Sequence, residues 1–118
     1  MLYTNLKHIE SISEHSAIVN ENEHVVVICG RMGNSCIPVY QVAEELVHEF
    51  PNVKFYDMEF DNPESHVIRD LFEVQNFLSV PFVLYYKNGE IVKATSGIQT
   101  KSQVKIILEN EFVLTVNA

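Results

Sequence analysis

The segment Val25-Val26-Val27-Ile28-Cys29 constrains the fold of this chain more than any other feature of the sequence. Its five consecutive apolar residues, four of them β-branched, are typical of a strand that is buried on both faces of a sheet. A strand with one face in water would instead alternate apolar and polar residues. The segment therefore predicts a sheet of an α/β protein, covered by helices on both sides.

Segments with helical and with strand patterns alternate along the rest of the chain. Helices are predicted over about 11–20, 36–50 and 63–76 and after Thr100, and further strands over 53–60, 80–86 and 91–95. Strands that alternate with helices are joined by parallel crossovers, and Asn88-Gly89 marks a tight hairpin that adds an antiparallel edge. We predict one α/β domain over residues 1–118, with a mixed four- to five-stranded sheet and helices on both faces.

The charge of the chain narrows the classes of partner. Sixteen acidic residues against eight basic ones give a net charge of −8, and no lysine or arginine cluster offsets it. A negative field repels nucleic acid and anionic lipid surfaces, so we expect neither a nucleic acid nor a membrane as partner. The N-terminus lacks the layout of a signal peptide, and no apolar run has the length of a membrane span. We therefore expect a cytoplasmic location.

Two cysteines, Cys29 and Cys36, are too few for a disulfide scaffold, so any function of theirs depends on thiol reactivity. Cys36 begins the helix of about 36–50, where the helix N-terminus favours a reactive thiolate, but it can equally be a small apolar residue of the core. Cys29 ends the apolar strand, which indicates core packing. The alternative is a disulfide with Cys36, formed if the intervening loop rearranges.

The order of the elements, with a loop and a cysteine after the first long strand, resembles thioredoxin. The resemblance covers about residues 5–113, and its most specific elements are Val80-Pro81 before a strand, the turn Lys87-Asn88-Gly89-Glu90, and Gly97 before the last helix. It implies a cis proline at Pro81 that faces the active-site thiols. It also implies a substrate groove at Val80, Pro81, Gly97 and Ile98, in which an extended segment pairs with the backbone of Val80.

The active-site turn departs from the family pattern. Where thioredoxin has Trp-Cys-Gly-Pro-Cys, this chain has Met32-Gly33-Asn34-Ser35-Cys36. The resemblance therefore places Cys36 on the second active-site cysteine and Gly33 on the first, which attacks the substrate. The buried aspartate of the family matches Val27, and its lysine partner matches Asp57. Asp57 acts as a general base for Cys36 if it is buried with a raised pKa, and otherwise faces solvent.

Other ligand-binding patterns are missing from the sequence. The five histidines are scattered, and none lies at metal-ligand spacing from a cysteine or carboxylate. The segment Gly30–Cys36 lacks the Gly-Lys-Ser/Thr ending of a phosphate-binding loop. We expect neither a metal nor a cofactor.

Two functions remain open. In the first, the chain has a thiol redox role in cell redox homeostasis, and Cys36 forms mixed disulfides with a protein or peptide thiol or with glutathione. A full dithiol cycle would need a second sulfur in reach, and only Cys29 could supply it. In the second, the domain is a non-catalytic module that binds an extended peptide or a partner protein beside Pro81, and Cys36 is residual.

Overall fold

A computed structural model of the chain describes residues 2–113, which form a five-stranded sheet flanked by helices. The strands are β1 (Lys7–Ile9), β2 (His24–Gly30), β3 (Lys54–Glu59), β4 (Phe82–Lys87) and β5 (Glu90–Ser96). The helices are α1 (Ile12–Glu21), α2 (Ile37–Glu49), α3 (His66–Arg69) and α4 (Lys101–Glu111), and short 3₁₀ turns cover Pro63–Ser65 and Phe72–Val74. The strand order is β1-β3-β2-β4-β5.

Strand β2 is the centre of the sheet, as the apolar run predicts. Every residue of His24–Gly30 is buried. The strand pairs in parallel with β3 and antiparallel with β4, while β1 pairs in parallel with β3 and β5 antiparallel with β4. The prediction of a mixed α/β sheet is therefore confirmed, and the sheet has five strands.

Alternate residues of β2 supply two separate core layers, because successive side chains of a strand point to opposite faces. Val26 and Ile28 pack with α2 and α4, on what we call the α2/α4 side. Val25, Val27 and Cys29 pack on the opposite face, with residues of α1 and α3, which we call the α1/α3 side.

The predicted helix over 63–76 is wrong, because the chain breaks there into two 3₁₀ turns and the four-residue α3. Leu71 has extended backbone angles and separates the pieces. The break lets both Ile68 and Val74 enter the core of the α1/α3 side. Residues six apart lie about 120° apart around a straight helix, so one continuous helix would bury both only with a wide apolar face. Phe72, which shares the predicted apolar face, is instead 87% exposed.

Local hydrogen bonds and turns close the ends of the helices and of the hairpin. The side chain of Ser11 accepts a hydrogen bond from the backbone N–H of Glu14 and caps α1. Thr100 and Gln103 form a reciprocal capping box at the start of α4. Asn88 and Gly89 both have positive φ, of 52° and 83°, and close the β4–β5 hairpin.

Candidate functional site

Cys36 lies at the start of α2 and is fully buried, with 0% of its surface exposed. Its Sγ accepts a hydrogen bond from the backbone N–H of Arg31 at 3.4 Å. The hydroxyl of Tyr40 donates to the carbonyl of Arg31 at 3.0 Å, and burial together with the neighbouring Cys36 raises the pKa of Tyr40. The sulfur is therefore held between the end of β2 and the first turns of α2.

The end of β2 approaches this sulfur closely because it is a glycine. A methyl group on Gly30 would lie 2.9 Å from Sγ of Cys36 and 2.7 Å from the hydroxyl oxygen of Tyr40. It would also lie 3.2 Å from Cβ of Pro81. Gly30 thus leaves the space in which the thiol, the phenol and the proline ring meet.

Pro81 lies next to the thiol, as the resemblance implies. The Val80–Pro81 peptide bond is cis. The carbonyl of Pro81 accepts a hydrogen bond at 3.0 Å from the N–H of Gly97, whose φ of +81° is readily accessible to glycine. Ile98 follows and is 58% exposed. The structure therefore joins Gly97 to Pro81 and leaves the side chain of Ile98 exposed.

The two polar groups of the Val80 backbone differ in their hydrogen bonds within the chain. Its carbonyl already accepts a hydrogen bond from the hydroxyl of Ser35 at 3.1 Å. Its N–H has no acceptor among residues 2–113. The carbonyl of Val80 therefore already takes one hydrogen bond within the chain, while its N–H is, over the described residues, free for a ligand. No sequence pattern pairs Ser35 with a residue 45 positions away.

The active-site turn is the exposed part of the site. Met32 and Asn34 are exposed, while Gly33 and Ser35 are half-buried. A side chain added at Gly33 would meet no atom within 4 Å. The carbonyl of Gly33 accepts the N–H groups of Cys36 and Ile37, so the turn leads directly into α2.

Cys29 belongs to a different layer of the protein. Both cysteines are free thiols, but Cys29 packs on the α1/α3 side and Cys36 on the α2/α4 side. Burial raises the pKa of the Cys29 thiol to about 12, although Arg69 opposes this rise. A thiol with such a pKa is almost entirely protonated near neutral pH. The positions of the two thiols on opposite faces of the sheet therefore argue against a disulfide between Cys29 and Cys36 and against a catalytic role of Cys29.

Asp57 is buried on the α2/α4 side of β3, and burial raises its pKa. Its two carboxylate oxygens, however, contact the hydroxyl of Thr4 and Nδ1 of His8, each at 2.5 Å. These contacts tie the N-terminal segment and β1 to β3, and none of the hydrogen bonds described for Asp57 reaches Cys36. Asp57 is thus buried with a raised pKa, but its hydrogen bonds are not those expected of a general base for Cys36.

Thr4 and His8 are the residues near Asp57 that the sequence did not reveal. His8 faces Asp57 in the parallel register of β1 and β3. The sequence could have indicated this contact only if β1 had been predicted as a strand. A segment of three residues is too short for its apolar and polar residues to show a strand pattern.

Within the described part of the chain, no three histidine, cysteine, aspartate or glutamate side chains are grouped closely enough to hold a metal ion. Over residues 2–113 no helix combines the length and apolar character needed to cross a bilayer.

Solved structures similar to this chain include thioredoxins. Thioredoxin from Plasmodium falciparum has 25% sequence identity and a TM-score of 0.75, over 89% of this chain and 98% of that chain. A point mutant of thioredoxin from Halobacterium salinarum has 17% identity and a TM-score of 0.78, over 98% and 99% of the two chains.

A third similar structure comes from work on thiol resolution in yeast mitochondrial 1-Cys peroxiredoxin through the glutathione and thioredoxin systems. It has 14% identity and a TM-score of 0.73, over 97% of this chain and 100% of that one. No protein-family model matches the sequence, and no curated protein does. The structural similarities confirm the thioredoxin fold that the sequence predicts.

Proposed function

Because this chain is a thioredoxin-fold protein, we propose that it has a thiol redox role in which Cys36 forms mixed disulfides with protein or peptide thiols or with glutathione. The fold supports a thiol-redox protein in general. We further propose that this role serves redox homeostasis in the cytoplasm.

The position of the Cys36 sulfur carries the proposal. Sγ lies at the start of the 13-residue helix α2 and accepts the backbone N–H of Arg31. The N–H of Arg31 and the start of α2 therefore both lie against the sulfur, which is the atom that would attack a disulfide. Pro81 lies beside the same sulfur, across the space that Gly30 leaves.

The reaction needs one external disulfide. The Cys36 thiolate attacks one sulfur of oxidised glutathione, and the other glutathione leaves as a thiolate. Attack of a glutathione thiolate on the mixed disulfide is the reverse step, which restores the Cys36 thiolate and oxidised glutathione, so the state of Cys36 follows the ratio of oxidised to reduced glutathione. Since Cys36 is fully buried, the exposed turn around Gly33 has to open before the first attack.

Mass spectrometry of the native protein after incubation with oxidised glutathione tests this role. The wild type and Cys29→Ser should each gain one glutathione, whereas Cys36→Ser should gain none. Cys29 is the matched internal control, because it is equally buried and its raised pKa keeps it protonated. Addition to Cys36→Ser, or no addition to the native wild type, would contradict the proposal.

Restoring the missing sulfur at Gly33 tests the assignment of Cys36 to the second active-site position. A side chain fits at Gly33 without a clash, so Gly33→Cys should keep the fold and place two thiols at the family spacing. We expect this variant to reduce insulin disulfides faster than the wild type, in which Gly33 supplies no nucleophile. Gly33→Ser and the double variant Gly33→Cys/Cys36→Ser are the controls. Equal rates for all four proteins would contradict the assignment.

One observation favours a second function, that of a non-catalytic module binding an extended peptide or a partner protein. Cys36 has no exposed surface and no second cysteine among the described residues on its side of the sheet. Ile98, in contrast, is 58% exposed, and the N–H of Val80 has no acceptor within residues 2–113. This second function would be supported if Cys36 of the native protein formed no mixed disulfide with glutathione while the protein still bound a peptide beside Pro81.

A further inference from the structure

The hydroxyl of Ser35 donates a hydrogen bond to the backbone carbonyl of Val80, at the centre of the candidate groove formed by Val80, Pro81, Gly97 and Ile98. Two consecutive carbonyls there accept hydrogen bonds from the chain itself. That of Pro81 accepts from the backbone N–H of Gly97 at 3.0 Å, and that of Val80 accepts from the Ser35 hydroxyl at 3.1 Å. The N–H of Val80 has no acceptor within residues 2–113.

The two covering groups differ in how easily they can move. Gly97 follows β5 directly, and its N–H is part of the backbone. Ser35 covers Val80 with a side chain on a half-buried turn, and one rotation about its χ1 angle would uncover the carbonyl. The Val80 carbonyl is therefore the one whose cover can be displaced by a ligand.

An extended peptide that forms a hydrogen-bonded pair with one residue of an antiparallel strand exchanges two bonds with it, N–H to O and O to N–H. At Val80 the N–H is free for such a pair, whereas the carbonyl, which has two lone pairs, already takes one hydrogen bond from the Ser35 hydroxyl. We infer that Ser35 is a specificity-determining residue, whose hydroxyl competes with the ligand N–H for the Val80 carbonyl. The inference deepens the proposed function and rests on it, because it concerns how a thiol peptide docks beside Cys36.

Binding of S-methylglutathione, followed by NMR in the wild type, Ser35→Ala and Ser35→Thr, measures this competition. The methylated sulfur cannot form a disulfide, so docking is measured apart from thiol chemistry. A net hydrogen bond of ordinary strength predicts about fivefold tighter binding to Ser35→Ala. Ser35→Thr keeps the hydroxyl and should return the affinity toward that of the wild type. The amide signal of Val80 should shift on binding, which a purely structural effect of the substitution would not cause.

Equal or weaker binding to Ser35→Ala would overturn the inference, as would the absence of binding to all three proteins. Oxidised glutathione, applied to the same variants, separates this failure from that of the proposed function. If mixed disulfides form at Cys36 while Ser35→Ala brings no gain in affinity, the redox role stands and the inference falls. If no mixed disulfide forms while Ser35→Ala binds more tightly, the inference stands and the redox role falls.

Discussion

Two adjacent tyrosines of β4 differ in how their hydroxyl groups are satisfied, and this difference predicts opposite effects for the same substitution. Tyr85 is 0% exposed on the α2/α4 side, and its hydroxyl has no hydrogen-bond partner among the described residues. Tyr86 is buried on the other face, and its hydroxyl lies 2.8 Å from Nε2 of His15. Tyr85→Phe and Tyr86→Phe each remove one oxygen from a buried ring.

The magnitudes follow from what each oxygen contacts. A buried polar group without a partner costs about 1–3 kcal/mol of desolvation, so Tyr85→Phe should raise the free energy of unfolding by roughly 1 kcal/mol. Tyr86→Phe removes a bond worth about 1 kcal/mol and leaves Nε2 of His15 buried without its partner, so it should lower that free energy by about 1–3 kcal/mol. The two variants should therefore differ by at least about 2 kcal/mol.

Urea unfolding at pH 7.5, followed by far-UV circular dichroism, suits this comparison because the chain contains no tryptophan. The urea midpoint should be highest for Tyr85→Phe, intermediate for the wild type and lowest for Tyr86→Phe, with unchanged m-values. A loss of stability in Tyr85→Phe as large as that in Tyr86→Phe would refute the reasoning, because it would mean that the Tyr85 hydroxyl has a partner in solution.

Two further substitutions test the close contacts around the site and the buried carboxylate. Gly30→Ala places a methyl group against Cys36 and Tyr40, so it should lower the free energy of unfolding by about 1–3 kcal/mol, as measured by urea unfolding. Gly33→Ala is its control, since it meets no atom within 4 Å and should change stability by no more than about 0.5 kcal/mol; equal losses would contradict the packing at Gly30. For Asp57, burial raises the pKa against the opposing hydrogen bonds of Thr4 and His8, so the folded state holds the proton more tightly than the unfolded chain does. The stability that this carboxyl contributes is then present below its ordinary pKa of about 4 and is lost as the pH rises through the raised pKa. As the pH rises from 4 to 8, the urea midpoint of the wild type should therefore decrease relative to that of Asp57→Asn. A constant difference between the two midpoints would contradict the raised pKa of Asp57.

The parts of the fold that the sequence predicts are those encoded by local patterns. The apolar run at 25–29, the hairpin turn at Asn88-Gly89 and the helix start after Thr100 each depend on a few neighbouring residues, and each is present in the structure. Strand β1 is missed because three residues at the edge of a sheet become a strand only by pairing with β3. The break at Leu71 is missed because burial against the rest of the core causes it.

In the candidate site, too, some contacts follow from local sequence motifs and others do not. The proximity of Cys36 and Pro81 follows from motifs that the sequence shares with thioredoxins, and Gly97 follows from its place before α4. The Ser35–Val80 hydrogen bond and the contact of Asp57 with His8 join residues 45 and 49 positions apart. Such pairs depend on how the loops and strand edges meet in space, and no local preference of either residue encodes them.

The position of the two cysteines on opposite faces of the sheet also has a consequence for how the chain is made and handled. In the unfolded chain the two thiols are only seven positions apart, so air oxidation would join them readily. A crosslinked chain cannot direct one sulfur to each face of the sheet, and oxidation before folding would therefore yield a product trapped outside the native state. Expression and refolding under a thiol reductant should raise the yield of native protein, and a Cys29–Cys36 disulfide in a preparation would mark molecules outside the native fold.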